Sequence, residues 1–380
     1  MKFTSLKELK HIENQRIVVR LDLNVPVLDN RVVDDFRLRS SLPTLEYLRV
    51  RGAKIIIIGH IEGETRTLRP VFERLNELFP LKSFISANIS NEFPSEIGLL
   101  LPGEAIVLEN LRVYPGEKAN DEQFTRELSA LGDIFVNEAF SVSHREHASI
   151  VGLPKFLPSA AGLRFVEEVT GLSQAFTPPH PALFVLGGAK FETKLPLLEK
   201  FLGFYDYVFV GGALANDLFK AKGLSVGVSR VSDGSIELGG IIEKKNLLLP
   251  MDVMAKNASG VSAIAPQAVG STDSIMDAGP KTVEQLKDLI RQSKFVLWNG
   301  PLGNYEAGFK GPTEELAKYI ASNEIHSIIG GGDTLASVST LKLEDKFDFV
   351  STAGGAMLEF LAHGTLPGIT ALEINPTPLT

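Results

Sequence analysis

Short apolar, β-branched runs recur along the chain, each ending in glycine or a polar cluster before a helical segment begins. In the first half these are Ile17–Arg20, Lys54–Ile58, Ala105–Leu108 and Asp133–Val136. In the second half they are Leu183–Leu186, Tyr207–Val210, Phe295–Leu297, Ser327–Ile329 and Phe349–Val350. Continuous apolar strands alternating with helices predict parallel sheets covered on both faces. The intervening segments carry leucines at helical spacing, as in Leu42, Leu45 and Leu48, or Leu75 and Leu78. Thr282-Val-Glu-Gln285 reads as a capping box, and Pro312 with Glu314 and Glu315 as a first turn. Leu163 to Phe176 reads as one helix, which the stiff Thr177-Pro-Pro-His-Pro181 stops. The fold class is therefore α/β, with a strand–helix series on either side of this segment.

A chain of 380 residues is too long for one ordinary core, which agrees with two domains. The hydrophobic share of 44% with 22% charged is that of a globular protein, and no apolar run reaches membrane-spanning length. The charged N-terminus predicts no secretory signal. The absence of cysteine excludes disulfides, thiol catalysis and cysteine–zinc sites, and fits a cytoplasmic protein. A net charge of −8 argues against a nucleic-acid partner. Any basic site must then be a local concentration on an acidic background.

Ligands of such sheets bind at the carboxyl ends of strands, where the polar clusters fall. The first half collects Asp22, Asn24, Arg37, His60, Arg112, Arg145 and His144 or His147 there. Guanidinium forks bind phosphate and carboxylate bidentately, so this set suits a small multiply charged anion. Asp22 and Asn24 suit ligand hydroxyls. The second half is dominated by strand-terminal glycines: Gly187-Gly188, Gly211-Gly212 and Gly330-Gly331-Gly332. Bare N–H groups at the first of these turns are expected to point at an anion. A helix is expected from Ala189 onward, with Lys190 and Lys194 on one face of its first turn. Asp333 is placed either to hold a divalent cation beside phosphates or to cap the following helix. Glu306 suits ribose hydroxyls or solvent; Trp298 and Tyr305 read as packing residues. Neither a G-x-x-x-x-G-K-[ST] loop nor a G-x-G-x-x-G fingerprint occurs at these turns. A nucleotide-like site on one domain and a small-anion site on the other together suggest phosphoryl transfer.

Arg20-Leu-Asp-Leu-Asn-Val-Pro26, Asp34-Asp-Phe-Arg37, Leu108-Glu-Asn-Leu-Arg112, Asn137-Glu-Ala-Phe140 with His144-Arg-Glu-His-Ala-Ser149, Leu186-Gly-Gly-Ala-Lys190, Trp298-Asn-Gly-Pro301, Gly330-Gly-Gly-Asp-Thr334 and Leu358-Glu-Phe360 occur in order. Over essentially its whole length the chain resembles the phosphoglycerate kinase family. The resemblance implies two Rossmann-like parallel-sheet domains: residues 1–171 plus 363–380 for 3-phosphoglycerate and 177–362 for nucleotide, joined by a hinge helix and linker at 156–176. It implies a cytoplasmic, hinge-closing monomer that transfers a phosphoryl group between ATP and 3-phosphoglycerate in glycolysis, giving ADP and 1,3-bisphosphoglycerate. By matching position it places Asp22, Asn24, Arg37, His60, Arg112 and Arg145 on 3-phosphoglycerate, with Arg37 and Lys190 at the transferring group. Lys194, Gly211, Gly212, Glu306, Gly331, Gly332, Asp333 and Thr334 fall to the nucleotide, with Asp333 at Mg²⁺.

The chain departs from the family pattern at several points. His60-Ile-Glu-Gly63-Glu64 stands where the family reads His-Leu-Gly-Arg-Pro, so an expected substrate arginine is Gly63 and two carboxylates enter the loop. Arg66 and Arg69 are candidate replacements. Thr193 stands for an aspartate, Ser141-Val-Ser143 for Gly-Thr-Ala, and Ala353 for a glycine. A tryptophan is missing at Ser274-Ile-Met-Asp277. A nucleotide-binding scaffold with weakened or lost kinase activity is the alternative these changes raise. A dinucleotide-dependent oxidoreductase is a more distant one.

Overall fold

The computed structural model describes residues 2–63, 66–86, 94–189, 191, 194–233 and 238–374. The chain forms two compact units, Met1–Thr170 with His363–Thr380, and Gly171–Ala362.

The first unit is built on a six-stranded parallel sheet. Its spatial order is Ser83–Ile85, Ala105–Leu108, Lys54–Ile58, Arg16–Arg20, Ile134–Asn137, Ser159–Ala161. Successive side chains of a strand point to opposite faces. Ile17, Val19, Ile55 and Ile57 accordingly enter one buried cluster and Val18, Ile56 and Ile58 another. Both faces are apolar because helices cover both, which is why these strands show no polar alternation. Helix Phe36–Val50 begins beside Asp35, whose carboxylate takes Arg39 at 2.6 Å and Arg74 of helix Arg69–Leu78 at 2.5 Å. These pairs fix the helix start that carries Arg37. The end of the described chain, helix Pro367–Ile374, belongs to this unit and docks by the Gly368 N–H on Ser143 O at 2.8 Å. A Cβ at residue 368 would meet the Ser143 side chain at 2.7 Å, so glycine is needed there.

The second unit repeats the plan with the order Leu247–Leu248, Tyr207–Val210, Ala182–Leu186, Phe295–Asn299, His326–Gly330, Phe349–Val350. It adds a three-stranded antiparallel sheet, Val253–Asn257 between Gly260–Ile264 and Ser274–Ala278. Trp298 is fully buried and donates from Nε1 to Gly300 O at 2.9 Å, a packing role.

Two local expectations need correction. The helix Pro280–Gln292 starts at proline after Gly279, and Thr282 lies inside it without forming a capping box. Asp252 caps it instead, accepting from the N–H groups of Lys281 at 3.1 Å and Thr282 at 2.8 Å. The buried Thr282 hydroxyl donates to Asp252 O at 2.7 Å. The helix expected from Ala189 begins only at Leu195, with Pro196 in its first turn and Lys194 at the cap. Proline favours a helix start, so Lys194 stands before the first turn of this helix and not on its face. Lys190 and Thr193 lie outside the described residues, as does Glu64.

Candidate active site

In the first unit a cationic bowl forms where four neighbouring strands end. Arg20, the last residue of its strand, is fully buried. Its guanidinium donates to Ser149 Oγ at 2.9 Å, to the Leu21 carbonyl, and to His60 Nδ1 at 2.8 Å. Ser149 Oγ donates in turn to Glu117 Oε1 at 2.7 Å, and Glu117 Oε2 accepts the Ser149 N–H at 3.0 Å. Burial pushes the Arg20 guanidinium down to about 10, against the attraction of Glu117 and Asp22.

The other candidates gather around this buried pair. Burial, then the charges of Arg20, Arg112, His147 and Arg37, hold His60 down at about 2. His147 is held at about 4 by burial, Arg112, Arg20 and Arg145. These mutual effects place Arg37, His60, Arg112 and Arg145 in one field, with Arg145 at its exposed rim. Arg37 Nη1 reaches Asp22 Oδ2 at 3.2 Å and Asn24 O at 3.0 Å. Asp22 also accepts from Ser141 Oγ at 2.6 Å, so the serine that departs from the family pattern is tied into the bowl. Asn24 Oδ1 accepts the Glu62 N–H at 3.0 Å. Arg112 is mostly buried; its Nε has no hydrogen-bond partner among the described residues, and its Nη2 stands 3.7 Å from Glu62 Oε1. Burial lowers the Arg112 guanidinium, opposed by Glu117 and Glu62 and reinforced by Arg145.

Asn110 had no role assigned from sequence, yet it holds this wall together. Its Oδ1 accepts from the N–H groups of Ile61 at 3.2 Å and Arg112 at 3.0 Å. Its Nδ2 donates to the carbonyls of Ile61 at 3.0 Å and Arg66 at 2.9 Å. Arg69 stacks over Phe84, 4.6 Å from the ring centroid, and so is engaged away from the bowl.

In the second unit a cleft of about 420 Å³ is lined by Gly188, Gly212, Asn216, Asp277, Glu306 and Asp333, among others. That volume suits a nucleoside-sized ligand, which takes roughly 300–1,000 Å³. The glycine turns bordering it are built differently from the expectation. The Gly187 N–H donates to Asn299 O at 2.8 Å and the Gly188 N–H to Pro301 O at 2.9 Å. Likewise the Gly211 N–H goes to Leu186 O at 2.9 Å and the Gly212 N–H to Leu302 O at 3.2 Å. These amides are consumed by neighbouring chain and do not cradle an anion. The glycines are required for close packing: a Cβ on Gly187 would lie 2.2 Å from Pro301 O, and one on Gly212 2.6 Å from Gly188 N.

Lys194 is buried and donates from Nζ to Gly187 O at 2.7 Å. Helix Gly332–Thr340 is capped by Gly331, at φ 101°, so Asp333 is not the cap but a first-turn residue. The buried Thr334 hydroxyl accepts the Gly300 N–H at 3.1 Å, a structural tie between two turns. The Asp333 carboxyl is raised by burial and by Glu306, with Lys194 pulling it back. Asp333, in the first turn of that helix, and Glu306, in a turn lining the same cleft, are the carboxylates a divalent cation would meet there; among the described residues no cluster of three metal-ligating side chains is present. Asp277, deeper in the cleft, is pushed up to about 7 by burial. Ala353 is buried at ordinary φ, while Gly354 takes φ 55°, so the loss of that glycine leaves the turn intact.

Comparison with known proteins identifies the family of the chain. The phosphoglycerate kinase family model matches residues 6–364. The chain is 36% identical over 384 residues to the phosphoglycerate kinase of Dictyoglomus turgidum, covering 95% of this chain and 96% of that one. It is 38% identical to that of Chloroflexus aggregans over 94% and 96%. The solved phosphoglycerate kinase of Coxiella burnetii superposes with a TM-score of 0.83 at 33% identity, covering 99% and 100% of the two chains. That of Pyrococcus horikoshii gives 0.85 at 28% identity, over 98% and 99%. The chain belongs to the phosphoglycerate kinase family.

Proposed function

We infer that this chain catalyses reversible phosphoryl transfer between ATP and 3-phosphoglycerate, giving ADP and 1,3-bisphosphoglycerate, a step of glycolysis. The observation that carries the reading is the bowl at the strand ends, where three arginines and a neutral His60 surround the under-satisfied Arg112 guanidinium on an otherwise acidic chain. Asp22, Asn24, Arg37, His60, Arg112 and Arg145 are the proposed 3-phosphoglycerate ligands. In this reading the unit of residues 1–170 and 363–380 holds the acid, and residues 171–362 hold the nucleotide.

Arg37 is the proposed stabiliser of charge on the transferring group. It is already oriented by Asp22 and Asn24 O. His60, neutral and accepting from Arg20, is left with an Nε2–H to donate to a carboxylate or phosphate oxygen. Lys190 takes the matching role on the nucleotide side, by its motif alone. The cleft residues Lys194, Gly211, Gly212, Glu306 and Gly331 to Thr334 are assigned to the nucleotide. The glycines act there by letting backbone approach closely, and the first-turn amides of helix Gly332–Thr340 by favouring negative charge. Asp333 would hold Mg²⁺, which supplies charge neutralisation to the phosphate chain when bound. The proposed setting is the cytoplasm, and since each half-site draws on one chain, the proposed working form is a monomer.

Titration calorimetry tests the assignment of half-sites. Arg37→Ala should abolish 3-phosphoglycerate binding and leave Mg·ADP binding within twofold. Loss of both, with the fold intact by circular dichroism, would contradict it.

A further inference from the structure

The loop that follows strand Lys54–Ile58 places a carboxylate inside the cationic bowl. Glu62 is held there through its backbone, by the N–H bond to Asn24 Oδ1 at 3.0 Å. Asn110 fixes Ile61 just before it and Arg112 opposite it. The Glu62 side chain is about half exposed, and its Oε1 is the carboxylate oxygen paired with Arg112 Nη2, at 3.7 Å. Arg112 is held at its backbone N–H by Asn110, and its buried Nε lacks an acceptor among the described residues. A buried donor without a partner is costly, so the guanidinium is poised for a better acceptor than the one it has. A phosphate or carboxylate presenting two oxygens to the fork would be that acceptor.

We propose that Glu62 is an intramolecular competitor for Arg112, displaced when the anionic end of the substrate enters the bowl. It thereby sets the affinity of the site without taking part in the chemistry. The proposal rests on reading the bowl as the 3-phosphoglycerate site. Its physical content is simple: an exposed carboxylate near a guanidinium lowers the local positive potential that an incoming anion feels, and salt screens the effect. The anchor to Asn24 is a backbone bond, so the side chain can be changed without releasing the loop.

The test is Glu62→Gln in the full chain, which keeps side-chain size and the N–H bond while removing the charge. The Kd for 3-phosphoglycerate, by calorimetry at low salt, should fall roughly three- to tenfold. Inorganic phosphate, used as a competing probe, should tighten in parallel. The change should appear in KM rather than kcat, and should shrink toward unity at about 0.5 M salt. Unchanged or weaker binding in Glu62→Gln would overturn the proposal. If neither wild type nor variant binds 3-phosphoglycerate while both bind Mg·ADP, the reading of the bowl fails, and the competitor with it.

Discussion

Arg20 donates from Nη2 to Nδ1 of His60 across 2.8 Å, deep inside the first unit. Arginine has no acceptor, so the imidazole must accept at Nδ1 and carry its proton on Nε2. The neutral form is thereby selected by geometry, and the depression of His60 to about 2 by burial and surrounding arginines agrees. A group whose pKa falls on folding stabilises the native state above its unfolded value and loses that stabilisation as pH falls. Acid loss attributable to His60 should therefore begin below about pH 6.5. Nitrogen NMR at pH 5 should show His60 still as the neutral Nε2–H tautomer. Arg20→Met would strand Glu117 and should cost roughly 3–5 kcal/mol in urea unfolding. A loss below about 1 kcal/mol would show that the network is not structural.

The glycine turns of the second unit predict a different kind of failure. Gly212 sits at φ 62° with Gly188 N and O both within 2.8 Å of where a Cβ would be. Backbone cannot move aside as a flexible side chain can. Gly212→Ala should destabilise this unit by about 2–4 kcal/mol and weaken nucleotide binding at the same time. The chain has one tryptophan, Trp298, in the core of this unit, so its fluorescence reads the unit selectively. Normal stability in the variant would contradict the close-approach account.

Restoring the family arginine at residue 63 should help little. A Cβ there meets none of the described atoms within 4 Å, but Gly63 holds φ 104°. The backbone strain, of order 1–3 kcal/mol, offsets most of the 1.5–3 kcal/mol that a charged hydrogen bond to phosphate can return. Gly63→Arg should lower the KM for 3-phosphoglycerate less than tenfold. A hundredfold gain would mean the loop relaxes freely.

Asp277 gives the second unit a pH signature. Burial lifts its carboxyl from 3.8 to about 7. An acid whose pKa rises on folding favours the native state when protonated, so its contribution declines as pH climbs from about 4 to about 7 and is then level. Asp277→Asn keeps an oxygen for the Ala278 N–H, which now bonds Oδ1 at 2.9 Å, and removes the titration. Urea midpoints from Trp298 fluorescence should fall less between pH 5 and pH 8 in the variant than in wild type. Equal slopes would exclude Asp277 as the source.

Much of this was legible in the sequence because buried parallel strands announce themselves. Ile55 to Ile58 and Leu183 to Leu186 read as strands from their unbroken apolar runs, and the polar clusters at their ends marked the candidate site positions. The antiparallel sheet was not legible, since Gly260–Ile264 is largely exposed and has no apolar face to read. Asp252 and Thr282 lie 30 residues apart, so the true cap of helix Pro280–Gln292 is a tertiary fact. The direction of the Gly187 and Gly188 amides depends on where Asn299 and Pro301 fall in a neighbouring strand end. Arg20 carried one available signal: a charge closing an otherwise apolar strand needs a buried partner.

The most direct test of the account is ATP-dependent phosphorylation of 3-phosphoglycerate by the purified chain, titrated well above millimolar substrate and coupled to reduction of the acyl phosphate. The account predicts saturable turnover that requires both substrates. No turnover at any concentration, with ATP still bound, would contradict it and leave a nucleotide-binding scaffold in its place.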